Sequence, residues 1–118
     1  MKSVSWGEAF RKLNVWREGG FVISFGPIKD EVNEQGETIS IHSALTGHVL
    51  SADETTGVVS LSGEPDWNLI GASFWFSEWD DVPFDEKELG PNEFESSLEV
   101  KFPDGRIVVL AREWPVRL

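Results

Sequence analysis

A change of hydrophobic period at two adjacent glycines divides this chain into a helical and an extended part. Before Gly19 and Gly20, large apolar residues recur at helical spacing, which predicts an amphipathic helix over Trp6–Glu18. Ser5 and Glu8 have the spacing of a capping box at its start, and the glycines are typical of a helix end. The apolar stripe consists of Trp6, Ala9, Phe10, Leu13 and Trp16.

After the glycines, apolar and polar residues alternate, and β-branched residues become frequent. This period of two predicts seven strands, at residues 21–25, 37–42, 48–52, 58–61, 72–79, 98–102 and 106–112. Short turn signals separate several of them, and no helical pattern recurs between them, which disfavours parallel crossover units. A short helical turn is predicted at 85–89. We therefore expect a single α+β domain, 1–118, with the N-terminal helix packed on a curved, mainly antiparallel sheet of six or seven strands, as a meander or a partly open barrel.

Composition restricts the compartment and the chemistry. The chain of 118 residues contains no cysteine, which excludes disulfides, thiol nucleophiles and cysteine metal sites. Its first residues lack the apolar run of a signal peptide, and no segment has the roughly 18 apolar residues that indicate a membrane span. These features favour a cytoplasmic protein.

Charge is distributed very unevenly along the chain. Residues 1–29 carry a net charge of +3 and residues 100–118 a net charge of +2, whereas residues 30–99 hold 17 acids and one base, Lys87. The overall net charge is -11. Such a negative field repels nucleic acid phosphates and anionic lipids, so we expect neither nucleic acid nor membrane as a partner. A basic protein is the favoured partner.

Residues 73–90, SFWFSEWDDVPFDEKELG, place aromatic area beside concentrated negative charge. In a strand, Phe74 and Phe76 share one face while Trp75 and Trp79 share the other. A sheet that closes on itself would bury both faces. An open sheet would leave the two tryptophans as a platform beside acidic residues. The candidate partner-binding residues are Trp75, Trp79, Glu78, Asp80, Asp81, Asp85, Glu86 and Glu88.

Evidence for catalysis or metal binding in the sequence is weak. His42 and His48 are separated by a predicted turn and could meet across a hairpin, although exposed histidines are the commoner outcome. Adjacent acids such as Asp53 and Glu54 lack the spacing of a calcium loop. No nucleophile elbow, phosphate-binding loop or dinucleotide fingerprint occurs. The sequence therefore predicts no catalytic residue, no metal site and no cofactor.

Three functions remain compatible with these features. The first is an acidic protein-binding module of the inhibitor or immunity type, in which charge steers a basic partner such as a toxin and tryptophans anchor it. In its general character, this small, acidic, cysteine-free and tryptophan-rich domain is similar to many bacterial immunity proteins and other protein inhibitors. The second is a small-ligand-binding or minor enzymatic domain with a tryptophan-lined pocket. The third is a structural subunit that self-associates, for example as a homodimer.

Overall fold

The computed structural model describes residues 2–42, 45–78 and 94–113, in which one helix and ten strands are found. The helix is α1 (Trp6–Glu18). The strands are β1 (Lys2–Val4), β2 (Ile23–Val32), β3 (Thr38–His42), β4 (Leu45–Gly47), β5 (Val49–Asp53), β6 (Val58–Leu61), β7 (Trp67–Asn68), β8 (Ser73–Glu78), β9 (Phe94–Lys101) and β10 (Ile107–Glu113).

Helix α1 begins and ends where the sequence predicts. The Ser5 hydroxyl accepts a hydrogen bond from the Glu8 N–H at 3.2 Å, which satisfies one of the unpaired amides of the first turn. At the other end, Gly20 adopts a φ of +64°, and the Phe21 N–H reaches the Trp16 carbonyl at 3.1 Å. This is a Schellman ending, which requires a left-handed residue and therefore favours glycine. The helix buries Ala9, Phe10, Leu13 and Trp16, so the predicted core face is confirmed.

A seven-stranded antiparallel sheet forms the larger layer of the fold. Its strand order is β1-β8-β9-β10-β2-β3, and β4 also pairs with β2, beside a different part of that long strand than β3. The face of this sheet that contacts α1 carries Phe74 and Phe76 of β8, which pack near Trp6 and Trp16 with ring centroids 6.0 and 6.4 Å apart. Phe25, Leu98 and Leu110 complete this buried layer from three other strands.

A second sheet has three strands in the order β5-β6-β7. Helix α1 packs beside β5, and the Asn14 amide donates to the Ala52 carbonyl at 3.1 Å. The indole N–H of Trp6 donates to the Glu54 carbonyl at 3.1 Å, in the turn after β5. One helix therefore joins the two sheets, with the core between them.

The structure confirms the α+β class and the helix packed on antiparallel sheets, and it shows that the sheets are not closed into a barrel. The simple meander is only partly correct, because β1 pairs with β8 and β2 pairs with β10. Three strands were not predicted, β1, β4 and β7, since two or three residues are too few to display a period. The predicted helical turn at 85–89 lies outside the described residues.

Strand β2 is longer than predicted because Gly26 and Pro27 lie inside it. Proline has no N–H to donate, so it is tolerated only where no ladder bond is needed. Pro27 pairs with Val108 of β10. Alternate residues of an antiparallel strand bond to a given neighbour, so the missing N–H of Pro27 costs no bond to β10, where Gly26 and Ile28 are the bonding residues.

Beyond Pro27, strands β2 and β3 leave the body of the sheet as a two-stranded hairpin, the β2–β3 arm (residues 28–42). The pairing between β2 and β10 ends at the Pro27–Val108 rung, whereas β2 and β3 remain paired as far as Val32 and Thr38. Gly36, at a φ of +79°, and the Asn33 side chain, which accepts from the Gln35 and Glu37 N–H groups, form the turn at its tip.

Candidate protein-binding surface

Trp75 lies on the outer face of the seven-stranded sheet, the face turned away from α1. Its neighbours Phe74 and Phe76 are buried, and side chains alternate along a strand, so Trp75 is directed to the opposite side. Ser3 of β1 and Glu99 of β9 stand opposite it in the ladders. We call the outer surface of these three strands the tryptophan face; it consists of Ser3, Ser73, Trp75, Ser77, Ser97, Glu99 and Lys101.

Small residues surround Trp75 on this face. Ser77 pairs with Ser97, and Ser3 lies opposite Trp75 on β1. These three neighbours of the indole are all small serines. Trp75 is half-buried, which falls between the enclosed and fully exposed alternatives that the sequence leaves open. Towards β10 and β2 the same outer face is covered, since Ala111 and Ser24 are buried. The accessible part of the outer face is therefore the part that carries Trp75.

Glu99 is a member of the tryptophan face that the sequence did not single out. It is half-buried and pairs across the ladder with Trp75 on one side and Val109 on the other. Among the described residues, no cation forms an ion pair with it. The face therefore places a carboxylate next to an indole ring, an arrangement that suits a lysine or arginine of another molecule.

Glu78 belongs to the opposite face of β8. Its carboxylate lies 3.8 Å from the Lys12 ammonium of α1, and Lys12 also sits 4.1 Å from the centre of the Phe76 ring. Both side chains of this ion pair are partly exposed, so solvent screens the attraction between them. The predicted site residues Trp75 and Glu78 therefore lie on different sides of the sheet. The remaining six, Trp79, Asp80, Asp81, Asp85, Glu86 and Glu88, lie outside the described residues.

A mixed-charge cleft of about 350 Å³, the helix cleft, opens between α1 and the ends of β8, β9 and β10. In it, the Arg112 guanidinium meets the Glu95 carboxylate at 3.0 Å and stacks 3.4 Å above the Phe21 ring. The Arg112 side chain is only 17% exposed, and its Nε–H has no hydrogen-bond partner in the described part of the chain. The ion pair with Glu95 and the stacking on Phe21 explain why Arg112 is largely buried, so its position does not indicate a ligand site.

A larger cleft of about 500 Å³, the turn cleft, lies between β7 and the turn that joins β9 to β10. Its apolar lining comes from both sheets and consists of Pro27, Trp67, Phe102, Ile107 and Val108. Three polar side chains complete the lining, Asp66, Asn68 and Arg106. The sequence raises a tryptophan-lined pocket as an alternative site, and this cleft corresponds to it. The tryptophan that lines it is Trp67.

The polar side chains of the turn cleft differ in how many of their atoms already form hydrogen bonds within the protein. Asp66 accepts a hydrogen bond from the Ser60 hydroxyl at 2.7 Å through Oδ1. Arg106 donates to Asp104 through its backbone N–H at 2.9 Å and its side-chain Nε at 2.7 Å. The backbone N–H of Arg106 first, and then its guanidinium, hold the pKa of Asp104 below its usual range. Arg106 is thus paired with Asp104 in an exposed ion pair, whereas Oδ2 of Asp66 accepts no hydrogen bond from the described residues.

Of the two histidines, the structure describes the side chain of His48 alone. His48 is exposed, and its Nδ1 lies 3.2 Å from the Phe21 carbonyl oxygen, within hydrogen-bond distance. His42 ends β3, and its side chain is outside the described set. In residues 2–42, 45–78 and 94–113, no three histidine, cysteine or acidic side chains are grouped as metal ligands.

Comparison with known protein families, with curated proteins and with solved structures finds no match. Among the described residues, α1 is the only helix, and it is too short and too polar to cross a membrane.

Proposed function

We propose that this chain is a cytoplasmic, acidic protein-binding module of the inhibitor or immunity type, which captures a basic protein partner such as a toxin. The observation that carries the proposal is the tryptophan face: a half-buried indole beside a carboxylate that pairs with no cation of the described residues, within a segment whose net charge is -16. Tryptophan is enriched among the residues that dominate interface energies, and complementary charge accelerates encounter.

The two components have different roles in this mechanism. Acids spread over residues 30–99 attract a cationic protein over a Debye length of about 8 Å at physiological salt. Once the partner has docked, a lysine or arginine can lie over the Trp75 ring and contact the Glu99 carboxylate. Desolvation of the indole then supplies the lasting part of the affinity, since aromatic anchors act mainly on dissociation.

The acids of residues 80–86 provide the first test of steering. Converting Asp80, Asp81, Asp85 and Glu86 to their amides is expected to slow association with the partner and to flatten its dependence on salt, with little change in dissociation or in unfolding free energy. The partner is obtained by affinity capture from the source cell and checked against the products of neighbouring genes. The rates are then measured by surface plasmon resonance at several salt concentrations.

A second set of four amides is the matched control for that experiment. Glu18, Asp53, Glu54 and Glu64 carry the same total charge but lie elsewhere in the sequence. If both sets slow association equally, net charge alone explains the effect, and residues 80–86 do not contribute a specific contact. If neither set alters association, electrostatic steering is wrong for this protein.

Trp75→Ala tests the anchor. We expect a loss of about 2 kcal/mol or more in binding free energy, mostly as faster dissociation, because the indole would be buried at the centre of the interface. Ser77→Ala, on the same face of the same strand, should change the binding free energy by less than about 0.5 kcal/mol. Calorimetric titration and dissociation kinetics measure both, with a thermal melt to confirm folding. An unchanged dissociation rate for Trp75→Ala contradicts the proposed interface.

A further inference from the structure

A strand edge that pairs with no described strand and the turn cleft meet at one place in this fold. Strand β10 stops pairing with β2 at the Pro27–Val108 rung, and Pro27, Ile107 and Val108 also line the turn cleft. The edge of β2 that faced β10 continues past this rung, and no described strand pairs with residues 29–32 on that side. The Ile28 N–H is already engaged, because an antiparallel rung at Pro27, which has no N–H, is closed by the bond from Ile28 to Ile107. The turn after Phe102 carries the chain away from this edge, with a hydrogen bond from the Phe102 N–H to the Arg106 carbonyl at 2.8 Å.

The hydrogen bonds at the tip of the β2–β3 arm show which backbone groups face this edge. The Asn33 N–H donates to the Glu37 carbonyl at 2.9 Å, so Asn33 is directed towards β3. Backbone groups alternate in direction along a strand, and therefore those of Ile28, Asp30 and Val32 are directed away from β3. The same alternation places the bonding groups of Gly26 towards β10, which agrees with the missing N–H of Pro27. Ser40 is the register partner of Asp30 on β3. Its backbone groups are therefore directed away from β2, to the other edge of the arm.

The turn cleft adds a place for a side chain beside this row of backbone groups. Its volume of about 500 Å³ is within the range of ligand pockets, and Trp67 and Phe102 provide aromatic walls. Trp67 is half-buried, and it is fixed against Phe25 with ring centroids 6.1 Å apart. Asp66 adds a carboxylate to the lining, and Arg106 is paired with Asp104 in an exposed ion pair.

Charge indicates what kind of segment can occupy the site. The β2–β3 arm carries Asp30, Glu31, Glu34 and Glu37 against Lys29 alone. Pairing of two such arms would bring like charges together, which disfavours a second copy of this chain. An extended basic segment would gain both the backbone ladder and the charge attraction.

We propose that the β2 edge at residues 29–32 and the turn cleft form a binding site for an extended, lysine- or arginine-containing segment of another protein. The segment adds a strand in line with β10, antiparallel to β2, and one of its basic side chains enters the turn cleft between Trp67 and Asp66. This inference rests on the proposed function, since the segment belongs to the basic partner. It adds a second contact, separate from the tryptophan face.

The experiment uses a nine-residue, N-acetylated and C-amidated peptide in which lysine alternates with valine. Its affinity for the full chain is measured by fluorescence anisotropy. Asp30→Pro removes an N–H from the proposed edge, whereas Ser40→Pro makes the same change on the other edge of the arm. Neither removes a bond between β2 and β3, because both residues face outwards. Asp30→Asn controls for the lost charge.

We expect Asp30→Pro to weaken peptide binding about tenfold, while Ser40→Pro and Asp30→Asn change it less than about threefold. Asp66→Asn, which can still accept from Ser60, should weaken the lysine peptide severalfold. Glu64→Gln removes a nearby charge outside the cleft and should have little effect. Equal losses in the two proline variants, or equal binding of a peptide with glutamate in place of lysine, overturn the proposal.

Amide hydrogen exchange on the unmodified protein makes the test independent of how the proline variants fold. With the peptide bound, the N–H groups of Asp30 and Val32 should exchange more slowly, whereas that of Ser40 should not change. Protection at Ser40 instead overturns the assignment of the edge.

Binding of the natural partner to the Asp30→Pro variant tests this inference separately from the proposed function. If that partner binds Asp30→Pro as tightly as the unmodified chain, the β2 edge is not its site, and the function stands on the tryptophan face. If the peptide protects the β2 edge but no basic protein binds the chain, the site is supported and the proposed function is wrong.

Discussion

Phe10→Ala is expected to lower the free energy of unfolding by about 3 to 5 kcal/mol, the largest effect of any single change considered for this protein. Phe10 is fully buried on α1, and its ring lies 4.7 Å from that of Trp6, so truncation removes contacts and leaves a cavity in the core between the helix and the sheets. Chemical denaturation measures the loss.

Val15→Ala is the matched control on the same helix. The Val15 side chain is directed to solvent, with 51% of its surface exposed. Val15→Ala should therefore lower the free energy of unfolding by less than about 1 kcal/mol. A loss below about 1 kcal/mol for Phe10→Ala as well would show that α1 is not docked through this residue in solution.

Gly57→Ala is expected to destabilise the fold by about 2 to 3 kcal/mol. Gly57 has a φ of +78°, a conformation that costs other residues about 1 to 2 kcal/mol. In addition, a Cβ at this position would lie 2.9 Å from Cη2 of Trp6 and 2.9 Å from Cγ1 of Ile70. The added methyl therefore pushes against the indole whose N–H reaches the Glu54 carbonyl.

Gly36 provides a comparison at nearly the same backbone angle. Its φ is +79°, but nothing lies within 4 Å of a Cβ built there, so Gly36→Ala carries the conformational cost alone. The difference between the two free energies of unfolding isolates the collision with Trp6 and Ile70. If the two variants are equally destabilised, the start of α1 does not pack on the turn between β5 and β6.

Local signals in the sequence explain which parts of the fold could be predicted. Helix α1 was predicted with its correct ends because Ser5, Glu8 and Gly20 act within a few residues of one another. Strand β6, at 58–61, also matches its predicted limits. Strand order could not be predicted in the same way. The pairing of Ser3 with Trp75 joins residues far apart in the chain, and nothing near either residue specifies it.

The candidate site was predictable to a similar degree. Alternation alone placed Trp75 on the face opposite Phe74 and Phe76, and the structure agrees. Glu99 could be assigned to the same face only once the register between β8 and β9 was known. The turn cleft could not be predicted from the sequence, because Trp67 and Ile107 come from different sheets and their proximity depends on the tertiary fold.

The pairing of β2 with β10 has a consequence for how the chain acquires its structure. The Ile23–Arg112 and Phe25–Leu110 rungs connect residues more than eighty positions apart, so β2 must wait for almost the whole described chain before its long ladder can close. Contacts between such distant positions slow folding, because loop-closure entropy is lost before the contacts form. In contrast, β5, β6 and β7 pair with their immediate neighbours and can assemble early. During synthesis, the strand Ile23–Val32 therefore remains without β10 until late, and nascent chains should depend on chaperones or low concentration more than the short length suggests.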